Sequence, residues 1–161
     1  MKLPLSRLKK LGKGFVHELA FVEGSITLSE NASVWPYAVL RADEGKIIIG
    51  KNTSIQDCCV LHGSVKIGDN VTVGHAAVIH NARIGSNVLI GMNSTILDNS
   101  KIEDWVIVAA GSVVRPKSLL ESGYLYAGSP AEKKRKLTKD DRKLITASYK
   151  EYLKKIKERT N

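Results

Sequence analysis

No apolar run in this chain of 161 residues approaches the roughly 20 residues a helix needs to cross a bilayer. The opening MKLPLSRLKKLGKG places charges where a secretory leader would carry its apolar stretch. Export and a membrane role are not expected, and a cytoplasmic location is. Cysteine is scarce: Cys58 and Cys59 are sequence neighbours and form no C-x-x-C pair. They predict small buried packers in a reducing compartment rather than a disulfide or a redox motif. Acidic residues are outnumbered 16 to 25, but the excess is local. Residues 133–161 hold twelve basic and four acidic residues, whereas residues 1–132 hold thirteen and twelve. With no aromatic or glycine-rich recognition motif beside it, the basic segment reads as a solvated helix face, and nucleic acid is not expected as a partner.

What the sequence does contain is a period. Every sixth residue gives Leu28, Val34 and Leu40, and after Asp43-Glu44-Gly45-Lys46 the count restarts as Ile49, Ile55, Leu61, Ile67, Val73 and Ile79. One residue is dropped, and the series resumes as Ile84, Ile90, Ile96, Ile102, Val108 and Val114. All fifteen are Leu, Ile or Val, types that make up 44 of 161 residues, so chance would fill about four of the positions. Small or branched residues recur four places later, among them Thr53, Cys59, Val71, Ala77, Ser94 and Ser112. Gly and Asn follow the aliphatic position repeatedly, as in Ile67-Gly68-Asp69-Asn70, and are read as supplying turn conformations costly for other residues. A six-residue repeat predicts an all-β fold, a parallel β-helix of hexapeptides in which three flat sides make one lap of eighteen residues. Equivalent residues in successive laps then stack about 4.8 Å apart. Hexapeptide β-helices of this sequence type are, by resemblance, left-handed.

Residues 1–14 read as a basic, irregular arm, residues 15–128 as the β-helix, and residues 129–161 as a C-terminal helical segment. Ser129-Pro130 suits a helix start. Thr138 with Asp141 three residues on resembles a capping box. Ile145, Tyr149, Tyr152 and Ile156 recur at helical spacing and predict a stripe packed on a β-helix flank.

The chemistry concentrates between Leu61 and His80. His62 and His80 each follow an inward aliphatic residue and are one lap apart, so their rings share a column. His75 sits two places after Val73 and belongs to a different column, directly above Asp57. His17 is read as a surface or hydrogen-bonded residue. Two imidazoles in register can grip a divalent metal, with zinc the first expectation and iron or cobalt open, and a third ligand must approach from another direction.

Leu40-Arg41-Ala42-Asp43, Ile55-Gln56-Asp57, Leu61-His62-Gly63 and Gly74-His75 through His80 together resemble the gamma-class carbonic anhydrases and their relatives, over roughly residues 15–130. The resemblance implies a homotrimeric lyase that hydrates CO₂ reversibly to bicarbonate by a metal-bound hydroxide. It implies Zn²⁺ (or Fe²⁺ or Co²⁺) held between subunits by His62 and His80 of one chain and His75 of its neighbour. Gln56 would orient the reacting oxygen and Glu44 would lie near the metal as a proton-passing group. Arg41, Asp43 and Asp57 would form the salt-bridge network of the trimer interface. One departure is plain: only twelve residues separate His62 from His75, where the archetypal enzymes carry a longer acidic loop bearing a proton-shuttling glutamate. Two other classes stay open, a hexapeptide acyltransferase that uses one histidine as a base, and a catalytically silent trimeric metal-binding scaffold.

Overall fold

The computed structural model describes residues 7–160. It is a left-handed parallel β-helix closed by a single C-terminal helix, Lys139–Thr160. All fifteen residues of the six-residue series are buried, none more than 5% exposed. Leu120 and Tyr126 extend the series into the last lap.

Parallel pairing one lap apart builds three faces. On the first, Val34 stacks on Ile55, then Val73, Ile90, Val108 and Tyr126. On the second, Leu40, Leu61, Ile79, Ile96 and Val114 stack. On the third, Leu28, Ile49, Ile67, Ile84, Ile102 and Leu120 stack. The long strand Val39–Ile49 runs from the second face into the third, and its central residues are the interruption seen in the repeat.

The corners correct one detail of the sequence reading. The left-handed backbone falls three residues after the aliphatic position, at Asn52, Asn70, Asn87 and Asn93 among others (φ 55–57°), and not on the glycine directly after it. Asn tolerates this region because its short amide bonds locally. Here the amides also form a ladder: Asn52 Nδ2 donates to Asn70 Oδ1 at 3.0 Å and Asn70 Nδ2 to Asn87 Oδ1 at 3.3 Å. The glycines serve close stacking instead, since a Cβ at Gly91 would run into the backbone nitrogen of Ala110 in the next lap.

Both ends differ from the expectation. Residues 1–6 of the expected arm lie outside the described residues, while Leu8–Leu11 forms an antiparallel hairpin with Gly14–His17 across Gly12-Lys13. Gly at the first turn position suits a two-residue hairpin loop. At the other end Ser129-Pro130 does not start the helix. That peptide is cis, and the chain turns back so that Glu132–Lys136 pairs antiparallel with Tyr124–Ala127. The capping box does hold: Asp141 N–H donates to Thr138 Oγ1 at 3.2 Å, and Asp141 Oδ2 accepts from the Thr138 amide at 2.7 Å.

The helix packs on the first face of its own prism. Tyr152 and Ile156 meet Trp35 and Leu8, with the Trp35 and Tyr152 rings edge-to-face at 4.9 Å, and Ile145 is 1% exposed. Tyr149 is only half-buried. Arg142 lies over Trp105 and Arg159 over Trp35, so part of the basic excess is spent in cation–π contacts. Of the cysteines, Cys59 is the buried packer, its thiol pushed up to about 12 by burial, whereas Cys58 is exposed at a corner. His17 is buried and accepts the Leu19 N–H at Nδ1. No helix among the described residues is long and apolar enough to cross a membrane.

Two stability outcomes follow. Ile90→Ala removes a core side chain at 0% exposure and is expected to cost about 2–5 kcal/mol in denaturant unfolding. Arg135, with the Thr138 amide, holds the Asp141 carboxyl well below the usual range. A depressed native pKa means that ionised Asp141 contributes stability above about pH 4 and loses it as pH falls further. Asp141→Asn should therefore flatten the acid limb of a melting-temperature profile, and Thr138→Ala should cost about 1 kcal/mol at neutral pH.

Candidate metal and catalytic site

In a strand, neighbours of an inward residue point outward. His62 and His80 follow Leu61 and Ile79 on the second face, and they stand directly in register. Their rings lie 5.0 Å apart between centroids, and His80 Nε2 is 3.1 Å from His62 Nδ1. Carboxylates bracket the pair. His80 Nδ1 lies 2.8 Å from Asp98 Oδ1, and His62 Nε2 lies 3.2 Å from Asp43 Oδ1. An ionised carboxylate only accepts, so His80 carries its proton on Nδ1 toward Asp98 and His62 carries its proton on Nε2 toward Asp43, which leaves His80 Nε2 and His62 Nδ1 bare and facing each other. Arg41 Nη2 donates to Asp43 Oδ2 at 2.7 Å and holds that carboxyl below the usual range. Asn81 first, and His80 second, do the same for Asp98.

His75 stands elsewhere, at the corner between the first and second faces. Its ring Nδ1 is 3.0 Å from Asp57 Oδ2, one lap below, and its backbone N–H donates to Gln56 Oε1 at 3.1 Å. Gln56 is 7% exposed, so its amide is held in place. Beside them a cleft of about 320 Å³ opens between the first face and the C-terminal helix, lined by Gln56, His75, Met92, Ser148 and Tyr152 among others.

Seven of the eight residues singled out in the sequence thus fall into two groups within one chain. Arg41, Asp43, His62 and His80 form one, and Gln56, Asp57 and His75 the other. Glu44 is exposed in the strand that carries Arg41 and Asp43. Among the described residues of the single chain, no three His, Cys, Asp or Glu side chains converge as a metal site. Within the chain Arg41 pairs with Asp43, and Asp57 with His75. The residues of the histidine column do fit a divalent ion. A tetrahedral ion at about 2.0–2.1 Å from each ligand separates two nitrogens by about 3.3 Å, close to the 3.1 Å observed. Two residues escaped the sequence reading, Asp98 and Asn81. The signal was present, because Asp98 follows His80 by the same eighteen residues that pair the histidines.

The repeat itself matches the model described as bacterial transferase hexapeptide (six repeats), over residues 46–81 and 81–116. A hexapeptide transferase family protein from Anaplasma phagocytophilum is 34% identical, with a TM-score of 0.82 over 89% of this chain and 91% of that one. The chain belongs to the hexapeptide transferase family. A second solved member, a candidate acetyltransferase from Bacillus cereus, is 31% identical, with a TM-score of 0.65 over 89% of this chain and 90% of that one. A curated relative from Methanocaldococcus jannaschii, named "Probable carbonic anhydrase", is 43% identical over 60 residues, which are 37% of this chain and 35% of that protein. The chain therefore spans about a third of that relative's length. Membership fixes the prism and its repeat, and the reaction must be argued from the side chains the prism carries.

Proposed function

We propose that this protein is a metal-dependent carbonic anhydrase-like lyase that hydrates CO₂ reversibly to bicarbonate. The observation that carries the reading is the in-register pair of His62 and His80, with nitrogens 3.1 Å apart and a carboxylate on the far side of each ring. The partial likeness to the Methanocaldococcus relative supports it. A divalent ion such as Zn²⁺, Fe²⁺ or Co²⁺, if held by these imidazoles, would activate water as a nucleophile near neutral pH.

The chain's own residues do the rest. His62 and His80 would hold the ion from one subunit, and His75 would reach it from a neighbour. The second face supports such an assembly. Its outward column runs Phe21, Val39, Val60, Val78, Thr95 and Val113, half-buried or exposed and nearly all apolar, between the two histidine groups. Three chains in a ring would cover that column and bring His75 of each to the histidine pair of the next. Gln56, with Oε1 already bonded to the His75 amide, keeps its Nε2 donors for a substrate oxygen. Glu44, exposed near Arg41, is placed to pass protons to solvent. Arg41 and Asp43 brace His62 and would extend to Asp57 of the adjoining chain.

A second reading has its own support. The Bacillus cereus relative, matched across nearly its whole length, points to acyl transfer, and His75 held by Asp57 is an imidazole oriented to act as a base.

Protein purified without chelator is expected to carry about one metal ion per chain and to have the mass of three chains. His75→Ala should lose the ion at least tenfold more readily, while staying folded. Stopped-flow assays of the zinc, iron and cobalt forms should show CO₂ hydration above buffer. Metal-free trimers with all three histidines intact, combined with acyl-CoA turnover, would replace this reading with the transferase.

A further inference from the structure

His80 is held by more than its place in the ladder. Asp98, one lap on, accepts from its Nδ1 at 2.8 Å, and Asp98 is itself fixed by Asn81, whose Nδ2 donates to the same oxygen at 3.0 Å. Asn81 is anchored in turn. Its Oδ1 accepts the Ser64 N–H at 2.8 Å, its backbone N–H donates to His62, and its carbonyl accepts from Asn99. A side chain at Gly63 would displace it, for a Cβ there runs into the Asn81 amide oxygen. The orientation of the ring is thus traceable through Asp98 and Asn81 to the backbone of two neighbouring laps.

We propose that Asp98, steadied by Asn81, is the positioning residue that fixes the tautomer and ring orientation of His80, keeping Nε2 bare and aimed along the second face. The assignment stands on hydrogen-bond geometry, and only its consequence for metal binding rests on the function proposed above. A neutral imidazole has two tautomers of similar energy, and only the one protonated at Nδ1 offers Nε2 as a ligand. A carboxylate at Nδ1 selects that form and makes the ring a better donor, and losing such a partner typically lowers metal affinity 10–100-fold. Asp98 is 42% exposed on the prism exterior, so replacing it leaves the core intact.

The test uses metal-free protein with ¹⁵N-labelled histidine, at a pH where the imidazoles are neutral. His80 in the wild type should show a protonated Nδ1 and a bare Nε2. Asp98→Ala should shift it to a mixture of tautomers, and Asp98→Asn, which keeps an acceptor oxygen, should shift it less. Asn81→Gly preserves the left-handed corner and should move the signal in the same direction. In parallel, zinc titration should show Asp98→Ala binding 10–100-fold more weakly than wild type. An unchanged His80 tautomer in Asp98→Ala overturns the assignment. A tautomer that shifts in a protein whose wild type takes up no zinc upholds the positioning role and removes the metal reading instead.

Discussion

Stacking of each lap on the next, eighteen residues apart, is the constraint on which the rest of this molecule depends. Parallel pairing puts equivalent residues of successive laps about 4.8 Å apart, so a residue type repeated at that interval becomes a continuous column. Aliphatic columns fill the interior and an asparagine column closes one corner with hydrogen bonds between side-chain amides. The histidine column arises by the same rule, with no loop needed to bring its members together. It also inherits rigidity, because a ring carried on a paired strand is placed more firmly than one carried on a loop.

The three outward faces are not equivalent. The helix covers the first, and polar residues beneath it such as Ser33, Ser54 and Thr72 are at most 3% exposed. The third presents Lys66, Arg83 and Lys101 to solvent. The second shows an apolar column with no covering element among the described residues. His75 stands at one edge of it and the His62–His80 pair at the other. A flat face cannot fold onto itself, so one chain cannot unite its own three histidines. This geometry is what gives the proposed assembly a chemical purpose beyond burying apolar surface.

The interior was legible because side-chain burial writes itself into residue type. Each of the fifteen aliphatic positions is buried, and the lap that pairs His62 with His80 could be counted directly. The ends were not legible, for a physical reason. Leu8–Leu11 and Glu132–Lys136 close the two exposed edges of the first sheet through backbone hydrogen bonds, with side chains LKKL and EKKRK. Charged, lysine-rich edge strands resist pairing with another molecule, but apart from Leu8 they bury nothing, and one residue makes no pattern to read. Pro130 misled for the same reason. It follows Ser and precedes charged residues, which fits a helix start as well as a turn into an edge strand. The corner residues show a third case: Gly and Asn recur two positions apart in the repeat, and only the backbone tells which one takes the left-handed conformation.

The carboxylates were the least visible part, and they change how the site is understood. Each of the three histidines has an aspartate against a ring nitrogen: Asp43 on His62, Asp57 on His75 and Asp98 on His80. Neutral imidazoles alone would leave a dication uncompensated, whereas aspartates one hydrogen bond behind them would balance its charge without occupying its coordination sphere. The pattern is not symmetric. Asp57 and Asp98 sit at Nδ1 and leave Nε2 bare, but Asp43 sits at Nε2 of His62 and is tied to Arg41. His62 therefore offers Nδ1 where His80 offers Nε2, and these are the two nitrogens that lie 3.1 Å apart. Arg41 is half-exposed on the same column, so a neighbouring chain that drew it away would also loosen Asp43. In the proposed trimer, assembly and ligand geometry would then be coupled through the strand from Val39 to Ile49.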